Sequence, residues 1–207
     1  MTSLRRPAGP FTHEIDRVKG SRFIADVGPA ASEADAAAFL ATIREREPSA
    51  THHCHAWRIT PDRVRANDDG EPGGTAGAPI LRQLESADLI NAVVVVTRYY
   101  GGTNLGTGGL IRAYGAAARA GVLAAPVVET VLRTVVSVKH AYPDSAGLAT
   151  VLAAHDAVVE TSDYGVDVQL SVSVPQDDAA AFRDAVIDAT AGRARVVIEA
   201  DAMEKPA

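Results

Sequence analysis

Arg98, Tyr99 and Tyr100 stand at the end of a run of valines and lead into Gly101-Gly102-Thr103-Asn104-Leu105-Gly106-Thr107-Gly108-Gly109. Five glycines in nine residues let a backbone approach a ligand closely and adopt positive φ. A glycine-rich loop between a strand and a helix N-terminus presents several backbone N–H groups to an anion. Arg98 and Arg112 are the nearest cations, and a guanidinium suits forked contacts with phosphate. The candidate phosphate-binding set is Arg98, Tyr99, Tyr100, Gly101, Gly102, Asn104, Gly106, Thr107, Gly108, Gly109 and Arg112. The same glycines would also serve a tight, irregular turn with no ligand, and either arginine could be an ion-pair partner within the fold.

Two named phosphate motifs are incomplete. Gly101 to Thr107 nearly has P-loop spacing, but the lysine that meets the β/γ-phosphates is missing. After Gly106-Thr107-Gly108 the third glycine of a dinucleotide fingerprint falls at the wrong place. No cofactor is therefore expected.

Thr51-His52-His53-Cys54-His55-Ala56-Trp57 is a second chemical cluster. On a strand, His53 and His55 share one face, with His52 and Cys54 on the other. Two imidazoles plus a carboxylate from Asp68, Asp69 or Glu71 would make an open divalent-metal site with room for water. Packing and hydrogen bonding within a sheet would explain the histidines equally, and no bound metal is assigned. Asn67-Asp68-Asp69-Gly70-Glu71 starts like a calcium loop, but the twelfth position from Asp68 is Pro79, not Glu. Cys54 could be a nucleophile or a small buried thiol. Gly-x-Ser-x-Gly is absent. Trp57, Tyr99 and Tyr100 beside Arg58, Arg98 and Arg112 suit stacking on unpaired bases with phosphate contact.

The elements that must position these groups can be read from period and punctuation. Phe11 to Lys19 and Phe23 to Val27 read as a hairpin turning at Gly20. Ser32 caps a helix whose face is Phe39, Leu40 and Ile43, ending at Glu47-Pro48. Thr51 to Ile59 and Arg63 to Ala66 read as strands, and Asn67 to Gly74 as a loop. Thr75 is expected to cap a helix from Ala76 to Ala87, with Pro79 in its first turn. Val93 to Val96 reads as a buried strand and Leu110 to Ala125 as a helix ending at Pro126. Beyond lie strands at 131–139 and 157–162, helices at 146–155 and 177–191, and a strand at 195–199. Between them Val166, Val168, Leu170, Val172 and Val174 alternate with polar residues, a strand with one wet face. The order β-α-β-β-α-β is ferredoxin-like. The expected domains are 1–126 and 127–207.

At 207 residues, 47% hydrophobic and 22% charged, the composition is that of a soluble globular chain of one or two domains. No apolar run spans a bilayer and the N-terminus lacks a signal core, so a cytoplasmic protein with no membrane partner is expected. The single Cys54 fits a reducing compartment. The net charge of −6 argues against a strongly non-specific nucleic-acid binder. Residues 1–126 carry 14 Lys and Arg against 13 Asp and Glu, whereas residues 127–207 carry 6 against 13. Phosphate is therefore expected at the first part, whereas the acidic second part is expected to be structural or to face a basic protein partner.

Lys19-Gly20-Ser21-Arg22-Phe23-Ile24-Ala25, Thr51 to Arg58, Asn67 to Leu81 and Val95 to Tyr114 together resemble the signature blocks of the YigZ/IMPACT family. The resemblance covers nearly the whole chain. It implies an α+β protein with an N-terminal ribosomal protein S5 domain 2-like domain and a C-terminal domain like the last domain of elongation factor G. Both relatives meet RNA or phosphate. Eukaryotic relatives regulate translation by blocking activation of a starvation-sensing kinase, using an extra N-terminal domain that is not expected here. The expected function is binding of RNA, the ribosome or a nucleotide phosphate, with a role in translation regulation. The alternative is a metal-assisted hydrolase of a small phosphate-bearing substrate, built on His53, His55, Asp68, Asp69 and Glu71.

Overall fold

A computed structural model describes residues 3–206, with side chains for residues 4–199. The chain forms two compact units, one of residues 5–128 and one from Glu129 onward that includes Leu4. Among the described residues no helix is long and apolar enough to cross a membrane.

After β1 (Ser3–Pro7), the first unit contains β2 (Phe11–Glu14), β3 (Arg22–Pro29), α1 (Glu33–Arg46), β4 (His52–Arg58), β5 (Val64–Asn67), α2 (Gly77–Ser86), β6 (Ala92–Tyr99) and α3 (Thr107–Ala124). Its antiparallel sheet has the order β2-β3-β6-β4-β5. The central β6 is buried on both faces. Val94 and Val96 join Leu84 of α2 and Tyr114 of α3, while Val93 and Val95 join Ile43 of α1 and Trp57. That double burial is why β6 reads as unbroken valine rather than alternation. Each buried valine contributes roughly 1.5–3 kcal/mol, so β6 is the main anchor for the loop that follows it.

The local signals mostly act as expected. Ser32 accepts from the Asp35 amide at 3.1 Å, and α1 ends at Arg46 with Glu47 as its C-cap, before Pro48. In the hairpin, β2 ends at Glu14, earlier than expected, and the turn uses positive φ at Lys19 and Gly20. Thr75 is not the cap of α2, because its hydroxyl donates to the Pro72 carbonyl. The Asp68 carboxylate takes that role, accepting from the amides of Gly74, Ala76 and Gly77 at 2.8–2.9 Å.

The second unit contains β7 (Val127–His140) from Glu129 onward, α4 (Ser145–Ala154), β8 (Val158–Tyr164), β9 (Val168–Pro175), α5 (Ala179–Ala189) and β10 (Arg195–Pro206). β10 and β9 flank β7, and β8 lies beyond β9, the ferredoxin-like arrangement. Val136, Val138, Val172 and Val174 pack against Leu148, Phe182 and Val186 on one face. Val166 departs from the expected inward set: it is 96% exposed, because β8 continues to Tyr164, β9 starts only at Val168 and Val166 lies in the turn between them. Ala189, at the last turn of α5, is exposed, and Thr190 beside it is buried.

Candidate functional site

The glycine-rich loop follows β6 and opens α3. Gly102 and Gly106 have φ of 81° and 70°, which a side chain would strain. Gly106 is the N-cap residue of α3, and no side-chain oxygen caps the helix. The first turn of an 18-residue helix therefore keeps its partial positive charge for something else.

That turn borders a cavity of about 470 Å³. Its walls are Thr51, His52, Glu71, Pro72, Arg98, Tyr100, Asn104, Leu105, Gly106, Thr107 and Leu110. The glycine loop and the loop carrying Glu71 thus converge on one hollow. Arg98 Nη1 lies 2.6 Å from Glu71 Oε1, and Nη2 lies 3.3 Å from Ser21 Oγ. The guanidinium is 5.4 Å from the ring of Tyr100 and its Nε is buried without a partner. Glu71 also accepts from the Tyr114 hydroxyl at 2.7 Å. Burial, then the Cys54 thiol and Glu71, holds the Tyr114 phenol far above its usual range. Tyr100 is half exposed; its amide donates to Thr51 Oγ1 and its hydroxyl to Asn104 Oδ1.

Several expected members lie elsewhere. Tyr99 alternates to the other side of β6 and donates its hydroxyl to Glu47 at 2.7 Å. Gly101 has its amide taken by Ser21 Oγ at 3.2 Å, and its Cα abuts the Gly20 backbone. Gly102 and Gly108 do not line the cavity. Gly109 and the exposed Arg112 line a second hollow of about 260 Å³ with Val18, Lys19, Leu105, Ala113 and Ala116. Leu105 is the wall common to both hollows.

The grouping of His53, His55, Asp68, Asp69 and Glu71 around a divalent ion is not formed. His53 and His55 lie on the α1 side with Trp57, opposite Cys54 and Ala56. His53 Nε2 meets the Glu47 carbonyl and His55 Nδ1 the His53 carbonyl, both at 3.2 Å. Burial holds both imidazoles below the usual range. Asp69 binds Arg44 at 2.8 Å and the His53 amide at 2.6 Å. Asp68 is occupied by the α2 cap; burial opposes its ionisation, but the amides of Gly74, Gly77 and Ala76 outweigh this and lower its pKa. Among the described residues no three His, Cys, Asp or Glu side chains are grouped to hold a metal ion. Cys54 is fully buried and its thiol is pushed up to about 12 by burial, so the reactive thiolate is disfavoured there.

His52, Thr51, Ser21, Tyr114 and Lys19 belong to these hollows or their supports, although the sequence placed none of them in the phosphate-binding set. His52 had a legible signal. It alternates with Cys54, and Arg98 alternates with Val96, so both belong on the face that carries the cavity. Their pairing in register, His52 opposite Arg98, required the sheet.

Residues 19–122 match the Impact N-terminal domain, and residues 138–193 match a domain described as Domain of unknown function (DUF1949). The chain is 35% identical over 196 residues to IMPACT family member YigZ of Escherichia coli K12, covering 93% of this chain and 96% of that protein. It is 40% identical over 158 residues to the Thermus thermophilus IMPACT family member in pol 5′region, covering 76% and 86%. A solved structure described as a hypothetical protein superposes with a TM-score of 0.64 at 33% identity, covering 97% of this chain and 100% of that one. With two matched domains in the right order and near full-length coverage of a relative, this chain belongs to the IMPACT family, in its YigZ branch.

Proposed function

We propose that this protein binds single-stranded RNA through the first turn of α3 and acts in translation through that contact. The observation that carries the reading is the pair of hollows on either side of Leu105, with the uncapped α3 N-terminus between them. Arg98 is neutralised by Glu71, so it orders the cavity more than it attracts phosphate. The unpaired charge lies across Leu105: the side chains of Lys19 and Arg112 make no hydrogen bond or ion pair among the described residues. Two such hollows suit successive phosphates of a chain rather than one isolated group. The exposed ring of Tyr100, with Arg98 near it, offers a base a stacking face.

The test is fluorescence anisotropy with a short labelled single-stranded RNA over a salt series. The logarithm of affinity should fall linearly with log salt, and Lys19→Ala and Arg112→Ala should each reduce the steepness of that slope by about 0.7. Thr107→Glu should weaken binding without loss of thermal stability, because a carboxylate at a helix N-terminus supports the helix while repelling phosphate. Competition by a mononucleotide with equal affinity would show that a nucleotide, not an RNA chain, is the ligand. RNA affinity that is absent at low salt, or indifferent to all three substitutions, would remove the proposal.

A further inference from the structure

We infer that His52 is the proton-carrying contact to the anionic group in the larger hollow, so that ligand binding there is linked to uptake of a proton. The inference rests on the phosphate-binding reading of that cavity. His52 Nδ1 lies 2.8 Å from the Asp69 carbonyl oxygen. A carbonyl can only accept, so Nδ1 carries the hydrogen and Nε2 is the basic nitrogen. Nε2 faces Glu71 Oε1 at 3.7 Å, too far for a hydrogen bond, and the ring lines the cavity. With a neutral ring, two acceptors confront each other across that gap. A proton on Nε2 converts the confrontation into attraction.

The surrounding charges make that proton decisive. From β6 comes Arg98, in register with His52 and already paired with Glu71. From the loop before α2 come Glu71 itself and Asp69, whose carboxylate is engaged by Arg44 and the His53 amide. From α3 come backbone dipoles and no charged side chain; Tyr100 and Thr51 add hydroxyls. The Arg98–Glu71 pair sums to zero, so a phosphate in this hollow finds the α3 dipole and, when protonated, His52. A bound phosphate favours a proton on Nε2, and the imidazolium in turn favours phosphate.

His52→Asn keeps a donor toward the Asp69 carbonyl and removes the titrating nitrogen. With the same short RNA, wild-type affinity should fall about tenfold as the pH rises from about 5 to about 8. His52→Asn should bind at the weaker level throughout, whereas Arg112→Ala should keep the pH dependence. In the ligand-free protein, long-range proton–nitrogen NMR correlations should show His52 as the Nδ1–H tautomer. A pH dependence unchanged in His52→Asn, a flat wild-type profile, or the Nε2–H tautomer would overturn the inference while salt-dependent RNA binding survives. No RNA binding at any pH would overturn both this and the reading it rests on.

Discussion

Arg98 and Glu71 form a buried ion pair, 2.6 Å apart, with side chains 6% and 4% exposed. It ties the end of β6 to the loop before α2 and so joins the two segments that frame the cavity. Removing one partner leaves the other charge buried and unpaired, which costs about 3–5 kcal/mol. Glu71→Leu and Arg98→Met should each lower the unfolding free energy of the Arg5–Val128 unit by that amount in urea titrations. The double variant should recover most of the loss, since an apolar pair of similar volume needs no compensation. Equal losses in single and double variants would show that the pair does not act as a unit.

Asp68, not Thr75, holds the start of α2. Asp68→Ala removes an acceptor shared by three amides and should destabilise the unit by about 1–2 kcal/mol in chemical denaturation. Thr75→Ala loses one hydroxyl donor to the Pro72 carbonyl and should cost less. The reverse order would overturn the assignment of the cap.

Acidification should weaken the first unit in the histidine range. His53 and His55 have folded pKa values held below the unfolded value, with burial the largest cause. As pH falls through about 6.5, the unfolded chain binds protons before the folded one, so stability drops. Above that pH their contribution is fully present. Asp68 acts in a separate window: its lowered pKa contributes stability that is fully present above the ordinary carboxylate value and is lost progressively as pH falls from there through its lower folded value. Urea midpoints should therefore decline on acidification from neutrality, and His53→Gln with His55→Gln should flatten the decline. A wild-type midpoint that stays level through that window would contradict this.

Gly101 is required by contact rather than by φ. A Cβ there would overlap the backbone of Gly20 and Ser21. Gly101→Ala should cost about 1–3 kcal/mol by thermal denaturation, the usual range for overpacking. It should also disturb RNA affinity, because the displaced segment carries Tyr100. Gly102→Ala meets open space but a φ of 81°, so its cost should come from backbone strain alone. An alanine tolerated at 101 would mean the two loops are free to separate.

The chain by itself determined the family blocks, the βαββαβ order of the second unit, the α1 cap at Ser32 and the existence of a buried central strand. These are local or periodic properties, carried by neighbours three or four residues away or by alternation along one strand. Their physics is complete within a short window. The cavity was not of that kind. Arg98 and Arg112 look equivalent in sequence, yet one is neutralised by Glu71 and the other lines a different hollow. His53 and His55 look like ligands, yet the sheet turns them toward α1 and gives the cavity His52 instead. Which face of β4 meets α3, and which carboxylate meets which arginine, depends on strand register and on contacts between residues tens of positions apart. Only the packed sheet, which fixes register through burial of β6 on both faces, decides those pairings.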